Sequence, residues 1–268
     1  MVTDTLELFK QQQRDMWSSF APSAIFTTPV AANLVGFAGI SSGQRVLDVG
    51  TGTGVVAITA ARLGAHVCAL DLTPELLEQA KEDAAIAGQQ NIEWIEGDAE
   101  NLPYPENSFD IVVSQFGHMF APRADRVVQE IYRVLKPEGL FAFASWPPEH
   151  LMGRVFALVD SYADSATFIT SSPELWGDPH VIIKRMENIF EMPFFERGVM
   201  LTPALSKSHR RLAFERSFGP LRQVMQSLAS DPEKLTRLRE VMENLIEPYC
   251  INNQCHQSYL MSRARVLK

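Results

Sequence analysis

Between residues 45 and 146 short apolar runs alternate with stretches of helical periodicity, and that alternation limits the folds open to the chain. Runs of strand length stand at RVLDV, HVCAL, IEWIEG, FDIVVS and LFAFASW. A parallel sheet with crossover helices, an α/β layout, reads this way. The intervening segments carry their own start and stop signals. VVAITAARLG is closed by Gly64, and TPELLEQAKEDAAIAG has Thr73 as N-cap, Pro74 at the first helical position and Gly88 past its end. A third helix sets Val127, Val128, Ile131, Val134 and Leu135 on one face before Pro137 and Gly139 stop it.

The flanks do not keep this rhythm. Residues 1–40 read as one or two helices carrying Trp17, Phe20 and Phe26, which cover a site or extend the core. Residues 147–195 hold scattered aromatics and a polar SATFITSSPE break, and read as an inserted helical cap. Residues 196–268 read as a C-terminal completion of the sheet, with late strands at GVMLTPAL and QSYLMSRARVL around helices near 220–230 and 232–247. A ligand-binding core is thus expected at 41–146, within a chain whose 268 residues and 46% hydrophobic content suffice for one large core.

The formal charge of −8 argues against a sequence-independent hold on nucleic acid, because phosphate neutralisation needs a basic face. Residues 205–268 carry eleven Lys and Arg against six Asp and Glu, which reads as a solvated helix face. Cys68, Cys250 and Cys255 form no CxxC pair, so no metal site and no secreted disulfide framework is indicated, and a reduced cytoplasmic setting is expected. Neither an export signal nor a transmembrane run is read in the sequence. The oligomeric state stays open, a homodimer included.

The stretch VLDVGTGTG, residues 46–54, joins the first strand to a helix through three alternating glycines. Such a turn presents backbone N–H groups and a positive helix end at the carboxyl edge of the sheet, where α/β folds bind ligands. From Gly52 the run GTGVVA even satisfies the dinucleotide pattern, with Asp71 about twenty residues on. Asp48 argues otherwise, since a carboxylate directly before the turn repels pyrophosphate and attracts a cation. Asp98, after the third strand, adds a third acid at a third strand end. S-adenosylmethionine matches this set: Asp48 can accept from its ammonium, Gly50 and Gly52 admit its methionine moiety, Asp71 suits the two ribose hydroxyls and Asp98 the adenine amine.

VLDVGTGTG, ALDLTPELLEQAK, GDAENLPYPENSFDIVVSQFGHMF and EIYRVLKPEGLFAFASW together resemble the ordered motifs of the class I S-adenosylmethionine-dependent methyltransferases. The likeness is to the branch related to ubiquinone/menaquinone C-methyltransferases and small-molecule O-methyltransferases, and it covers roughly residues 30–146. It implies a Rossmann-like seven-stranded sheet with helices on both faces, the last strand entering antiparallel beside the fifth. It also implies that Asp48, Gly50, Thr51, Gly52 and Gly54 line the methionine end. Asp71 and Leu72 would hold the ribose and pack the adenine, Asp98 and Ala99 would read the base, and Ser114 and Gln115 would lie beside the sulfonium. KPEG replaces the family's usual two-glycine ending, in a turn remote from the methyl group.

Methyl transfer is an in-line displacement at an activated carbon, so alignment and exclusion of water matter more than a dedicated base. His118, after the fourth strand, is the candidate base, and the same position suits a histidine that only packs or caps a turn. Trp17, Phe20, Phe26, Phe116, Phe120, Trp146 and Trp176 are candidate walls of an apolar acceptor pocket. SQFGHMF lacks the Asn/Asp-Pro-Pro-aromatic run of amino methyltransferases acting on nucleobases or glutamine. A small aromatic, quinonoid or lipid-like acceptor is therefore expected, with S-adenosylhomocysteine as the product. A non-catalytic protein that senses S-adenosylmethionine or binds a partner is the alternative, and an obstructed acceptor cavity would favour it.

Overall fold

The five apolar runs pair in parallel in a computed structural model that describes residues 2–162 and 172–268. They are β1 (Arg45–Val49), β2 (His66–Asp71), β3 (Glu93–Glu96), β4 (Phe109–Gln115) and β5 (Leu135–Ser145). β6 (Phe194–Pro203), the two-residue β7 (Cys250–Ile251) and β8 (Gln254–Arg265) complete the sheet. The order is β3-β2-β1-β4-β5-β8-β6, with β7 on β8, and β8 runs antiparallel to both β5 and β6. The last strand thus enters antiparallel beside the fifth, as the resemblance implies.

Helices α1 (Val2–Trp17), α2 (Ala21–Ala24) and α3 (Thr28–Ala38) precede the sheet. α4 (Val55–Arg62) and α5 (Pro74–Ile86) follow β1 and β2, and α6 (Ala124–Val134) follows β4. α7 (Leu151–Asp160) and α8 (Pro179–Met186) lie between β5 and β6, and α9 (Lys207–Ser217), α10 (Gly219–Ser227) and α11 (Pro232–Ile246) between β6 and β7. Strand order reverses between β1 and β4, so right-handed crossovers send α4 and α5 to one face and α6 to the other. α3 packs beside α4 and α8 beside α6, which covers both faces of the sheet.

Two boundaries differ from the sequence reading. Leu135, expected as the last residue of the helix face, opens β5 instead, and KPEG bulges out before the strand resumes pairing at Leu140. Only part of 147–195 has the character of a cap. α7 sends Met152 and Phe156 into the cavity described below, whereas Ile182 and Met186 of α8 are buried in the core beside α6. Of the break at 165–174, residues 165–171 lie outside the described residues. α9 was not expected at all, because HRRLAFER reads as a polar stretch.

Residues 21–38 form one run of helical turns with a mean hydropathy of 1.2, long and apolar enough by composition to cross a membrane. In this fold 44% of it is buried, and Val30, Ala31, Leu34 and Val35 of α3 belong to the main core.

The reversal of strand order brings the turns after β1 and β4 into backbone contact. A Cβ on Gly117 would stand 2.5 Å from the Gly50 carbonyl oxygen and 2.7 Å from its Cα. Gly117→Ala is therefore expected to cost about 1–3 kcal/mol by overpacking against main chain that cannot yield. Gly36→Ala, in α3 with open space around it, is expected to stabilise by about 0.5–1 kcal/mol. Urea unfolding of both variants checks the pair, and equal effects would refute the steric account.

Candidate functional site

Asp48, the penultimate residue of β1, is 1% exposed, and the turn that follows the strand folds back over it. Thr51 Oγ1 donates to Asp48 Oδ2 at 2.6 Å and the Ala57 N–H to the same oxygen at 3.1 Å. Asp48 Oδ1 is buried and has no hydrogen-bond partner among the described residues. Burial pushes the carboxyl up to about 7; the bonds from Thr51 and Ala57 pull it down, and nearby Asp71 adds to the rise.

The turn is sewn to the end of β2. Gly50 and Thr51 N–H groups donate to the Leu70 carbonyl at 2.8 and 3.0 Å. Asp71 Oδ2 accepts from the Gly52 N–H at 2.7 Å and Oδ1 from the Thr73 N–H at 2.9 Å. Gly50 and Gly52 adopt φ of 67° and 56°, a left-handed backbone that side chains resist. A Cβ on Gly52 would meet nothing within 4 Å, so this side of the turn is open to a visitor.

The third acid is occupied. Asp98 Oδ1 accepts from the Glu100 N–H at 2.8 Å, and Oδ2 accepts from Lys10 of α1 at 2.5 Å. Lys10 also reaches Glu100 at 3.1 Å, and Glu100 holds Arg123 through Oε2 at 2.9 Å. With Arg14 paired to Glu96 at 3.2 Å, these bonds strap α1 across the ends of β3. Nothing in the sequence signals the Lys10 contact, because it joins residues 88 positions apart.

Asp48, Gly50, Thr51, Gly52, Asp71, Leu72, Asp98, Ala99 and Gln115 line one continuous cavity. Its open space, counted out to bulk solvent, is roughly 1580 Å³. Gly54 and Ser114 do not line it, and their expected contact with a ligand is corrected. A Cβ on Gly54 would lie 2.7 Å from Trp94, so that glycine serves the packing of α4. Ser114 donates to the Val49 carbonyl at 2.6 Å and accepts from the His118 N–H at 3.0 Å, bracing the β4 turn from behind.

Beyond Gln115 the wall turns aromatic. Phe116, with φ of 59°, is held in a conformation rare for a bulky residue and stacks on Trp146 with centroids 3.9 Å apart. Trp17 lies 5.9 Å from Phe20 and 4.5 Å from Phe120, and Phe120 lies 5.8 Å from Phe156. These rings line the cavity with Phe26, Met152, Phe214 and Phe218. Sequence reasoning missed Phe156, Phe214 and Phe218, whose helices gave no sign of reaching the site.

Two candidates fall away on geometry. The His118 segment borders the cavity, but its ring is buried among Phe143, Phe141 and Trp176, at 4.8, 5.7 and 4.5 Å. Burial, with the nearby Arg185 cation, pushes it down to about 3, so it stays neutral and is too weak a base at neutral pH. Trp176, 1% exposed between His118 and Phe143, is a core residue and not a pocket wall.

The half-partnered Asp48 and the open glycine turn fit the ammonium of S-adenosylmethionine, and they oppose pyrophosphate by charge. A model described as a methyltransferase domain matches residues 47–143. An uncharacterized protein of Mycobacterium tuberculosis is 33% identical over 256 residues, covering 94% of this chain and 93% of its own. A demethylmenaquinone methyltransferase of Clavibacter sepedonicus is 31% identical over 155 residues, covering 53% of this chain and 62% of its own. Among solved structures, one from Bacillus halodurans superposes with a TM-score of 0.58 over 88% of this chain and 97% of its own, at 22% identity, a likeness of fold.

Asp48 titrates at about 7 in the fold against 3.8 ordinarily, so the folded chain holds an extra proton between those values. The stability this confers is complete below 3.8 and is lost as pH rises through 7. Urea unfolding of the ligand-free protein is expected to show that decline across the window, and Asp48→Asn, with no proton to lose, should flatten it. The same slope in the variant would contradict the assignment.

Proposed function

Since the chain belongs to the class I S-adenosylmethionine-dependent methyltransferases, in the branch related to the demethylmenaquinone enzymes, we propose that it methylates a small, largely apolar acceptor held in the aromatic half of its cavity. The observation that carries this reading is the bare Asp48 Oδ1 at one end of a cavity that continues past Gln115 into a chamber of rings. S-adenosylmethionine supplies a methyl carbon activated by its positively charged sulfur.

The chain's residues then divide the work. Asp48 Oδ1 accepts from the ammonium of the cofactor, and the open side of Gly52 lets the methionine end approach the main chain. Asp71 keeps lone pairs free beside its two backbone bonds and accepts from the ribose hydroxyls. Leu72 packs the adenine, and Asp98, with the Ala99 backbone, reads the base, accepting from its amine on the lone pairs that Lys10 and the Glu100 N–H leave free. Gln115, its Nε2 tied to the Thr27 carbonyl at 3.2 Å, and the strained Phe116 border the point where the methyl crosses. With the cofactor held there, its methyl carbon would face the acceptor's oxygen or carbon, and its sulfur would keep the electron pair of the bond given up.

No side chain is assigned as base. A phenol or quinol nucleophile can lose its proton to water once the methyl has bonded, and the rings of Trp17, Phe20, Phe120 and Trp146 orient it and keep bulk water from the path. An unobstructed, aromatic chamber supports catalysis over a role in sensing alone.

Asp71→Ala is expected to weaken S-adenosylhomocysteine binding by about 1–3 kcal/mol, measured by calorimetry, through loss of charge-assisted bonds to the ribose. Transfer of labelled methyl to a panel of phenols, quinols and fatty acids tests the reaction. NADH binding in place of S-adenosylhomocysteine, or unchanged affinity in the variant, would overturn the assignment.

A further inference from the structure

The chamber holds one feature that an apolar acceptor does not use. Arg210, on α9, lines it and is only 8% exposed. Among the described residues its Nε has no hydrogen-bond partner and no carboxylate forms an ion pair with it. Its guanidinium carbon sits 4.1 Å over the Phe214 ring, and its polar neighbours are the thiols of Cys255 and Cys250. Burial pushes the guanidinium down, the mark of a cation short of a counter-charge. A buried guanidinium is stabilised best by an anion that matches its planar fork.

Two further buried polar groups share that end of the cavity. Thr202 and Gln257, each 1% exposed, line it; Thr202 Oγ1 donates to the Cys255 carbonyl at 3.4 Å and accepts from Gln257 Nε2 at 3.0 Å, which leaves Gln257 a second amide hydrogen. Both stand on a ribbon that outruns the sheet. Ser145, the last residue of β5, pairs with Leu260, so Gln257 lies three residues, about 10 Å, past the carboxyl edge of β5. The group therefore roofs the chamber away from Asp48. Lys10, the other cation among the lining residues apart from histidine, is already engaged by Asp98 and Glu100. One unpaired positive charge in an apolar chamber balances a monoanion better than a doubly charged phosphate.

We propose that Arg210, aided by the amide of Gln257 that Thr202 orients, binds a carboxylate on the methyl acceptor, which makes the substrate an amphiphilic acid whose apolar body fills the ring-lined chamber. This rests on the methyltransferase reading above and specifies its substrate class. The carboxylate is an anchor, and the atom that receives the methyl lies toward Gln115.

Calorimetry on the full chain decides it, with hexanoate, decanoate, 3-phenylpropionate and 4-phenylbutyrate each set against the matched alcohol, with and without saturating S-adenosylhomocysteine. At least one acid is expected to bind tenfold or more tightly than its alcohol. Arg210→Gln should erase that preference while leaving alcohol and S-adenosylhomocysteine affinities within twofold, and Arg210→Lys should restore part of it. Acids and alcohols binding alike, no acid binding anywhere in the panel, or a preference that survives in Arg210→Gln would each overturn the proposal. If Arg210→Gln fails to fold, the wild-type preference and Arg210→Lys still decide. Loss of S-adenosylhomocysteine binding in the wild type would count against the methyltransferase reading instead, and the ligand-free comparison would still report on Arg210.

Discussion

A carboxylate taken out of water with one oxygen bonded and the other bare is costly, and Asp48 is held in that state at the floor of the crevice where the sheet reverses its order. The rest of the site is arranged around it. The glycine turn that ties down one oxygen must pass within van der Waals contact of the β4 turn, which requires Gly117 opposite Gly50. Ser114 braces that second turn from behind, and Phe116 leaves it at a positive φ. Fold and site are thus one constraint: the strand order that buries the apolar runs also brings together the two turns that border a ligand.

Much of this was legible because periodicity and turn chemistry are local. RVLDV coincides with β1, and Asp48, Gly52 and Asp71 stand at the cavity where the pattern set them. What escaped depended on side-chain direction and on contacts between distant segments. A histidine two residues after a positive-φ phenylalanine can face either the cavity or the core, and His118 faces Phe143 and Trp176. Lys10 reaching Asp98 and Arg210 reaching the chamber join elements far apart in the chain, and neither lies in a recurring motif. Basic residues near the C-terminus read as a solvated face, which is how the one buried cation among them was concealed.

The cavity has a polar end and an apolar one with a cation in its roof, contributed by different segments. β1, β2 and the loop after β3 supply the acids, whereas α1, the turns before α3, the loops after β4 and β5, α7 and α9 supply the rings. Such a division lets the cofactor end stay constant while loops and helices vary the acceptor. α1 touches both ends, through Lys10 and Trp17, so order in that helix is coupled to both ligands.

The account stands on Asp48 meeting a cation, and proton release reports that contact directly. At pH 6 the ligand-free carboxyl, titrating at about 7, is mostly protonated, and an ammonium beside Oδ1 stabilises the ionised form. Calorimetry of S-adenosylhomocysteine binding at pH 6, in two buffers of different ionisation enthalpy, should reveal release of up to about one proton per chain in the wild type and none in Asp48→Asn. Tight binding without proton release, or equal release in the variant, would contradict the central role of Asp48.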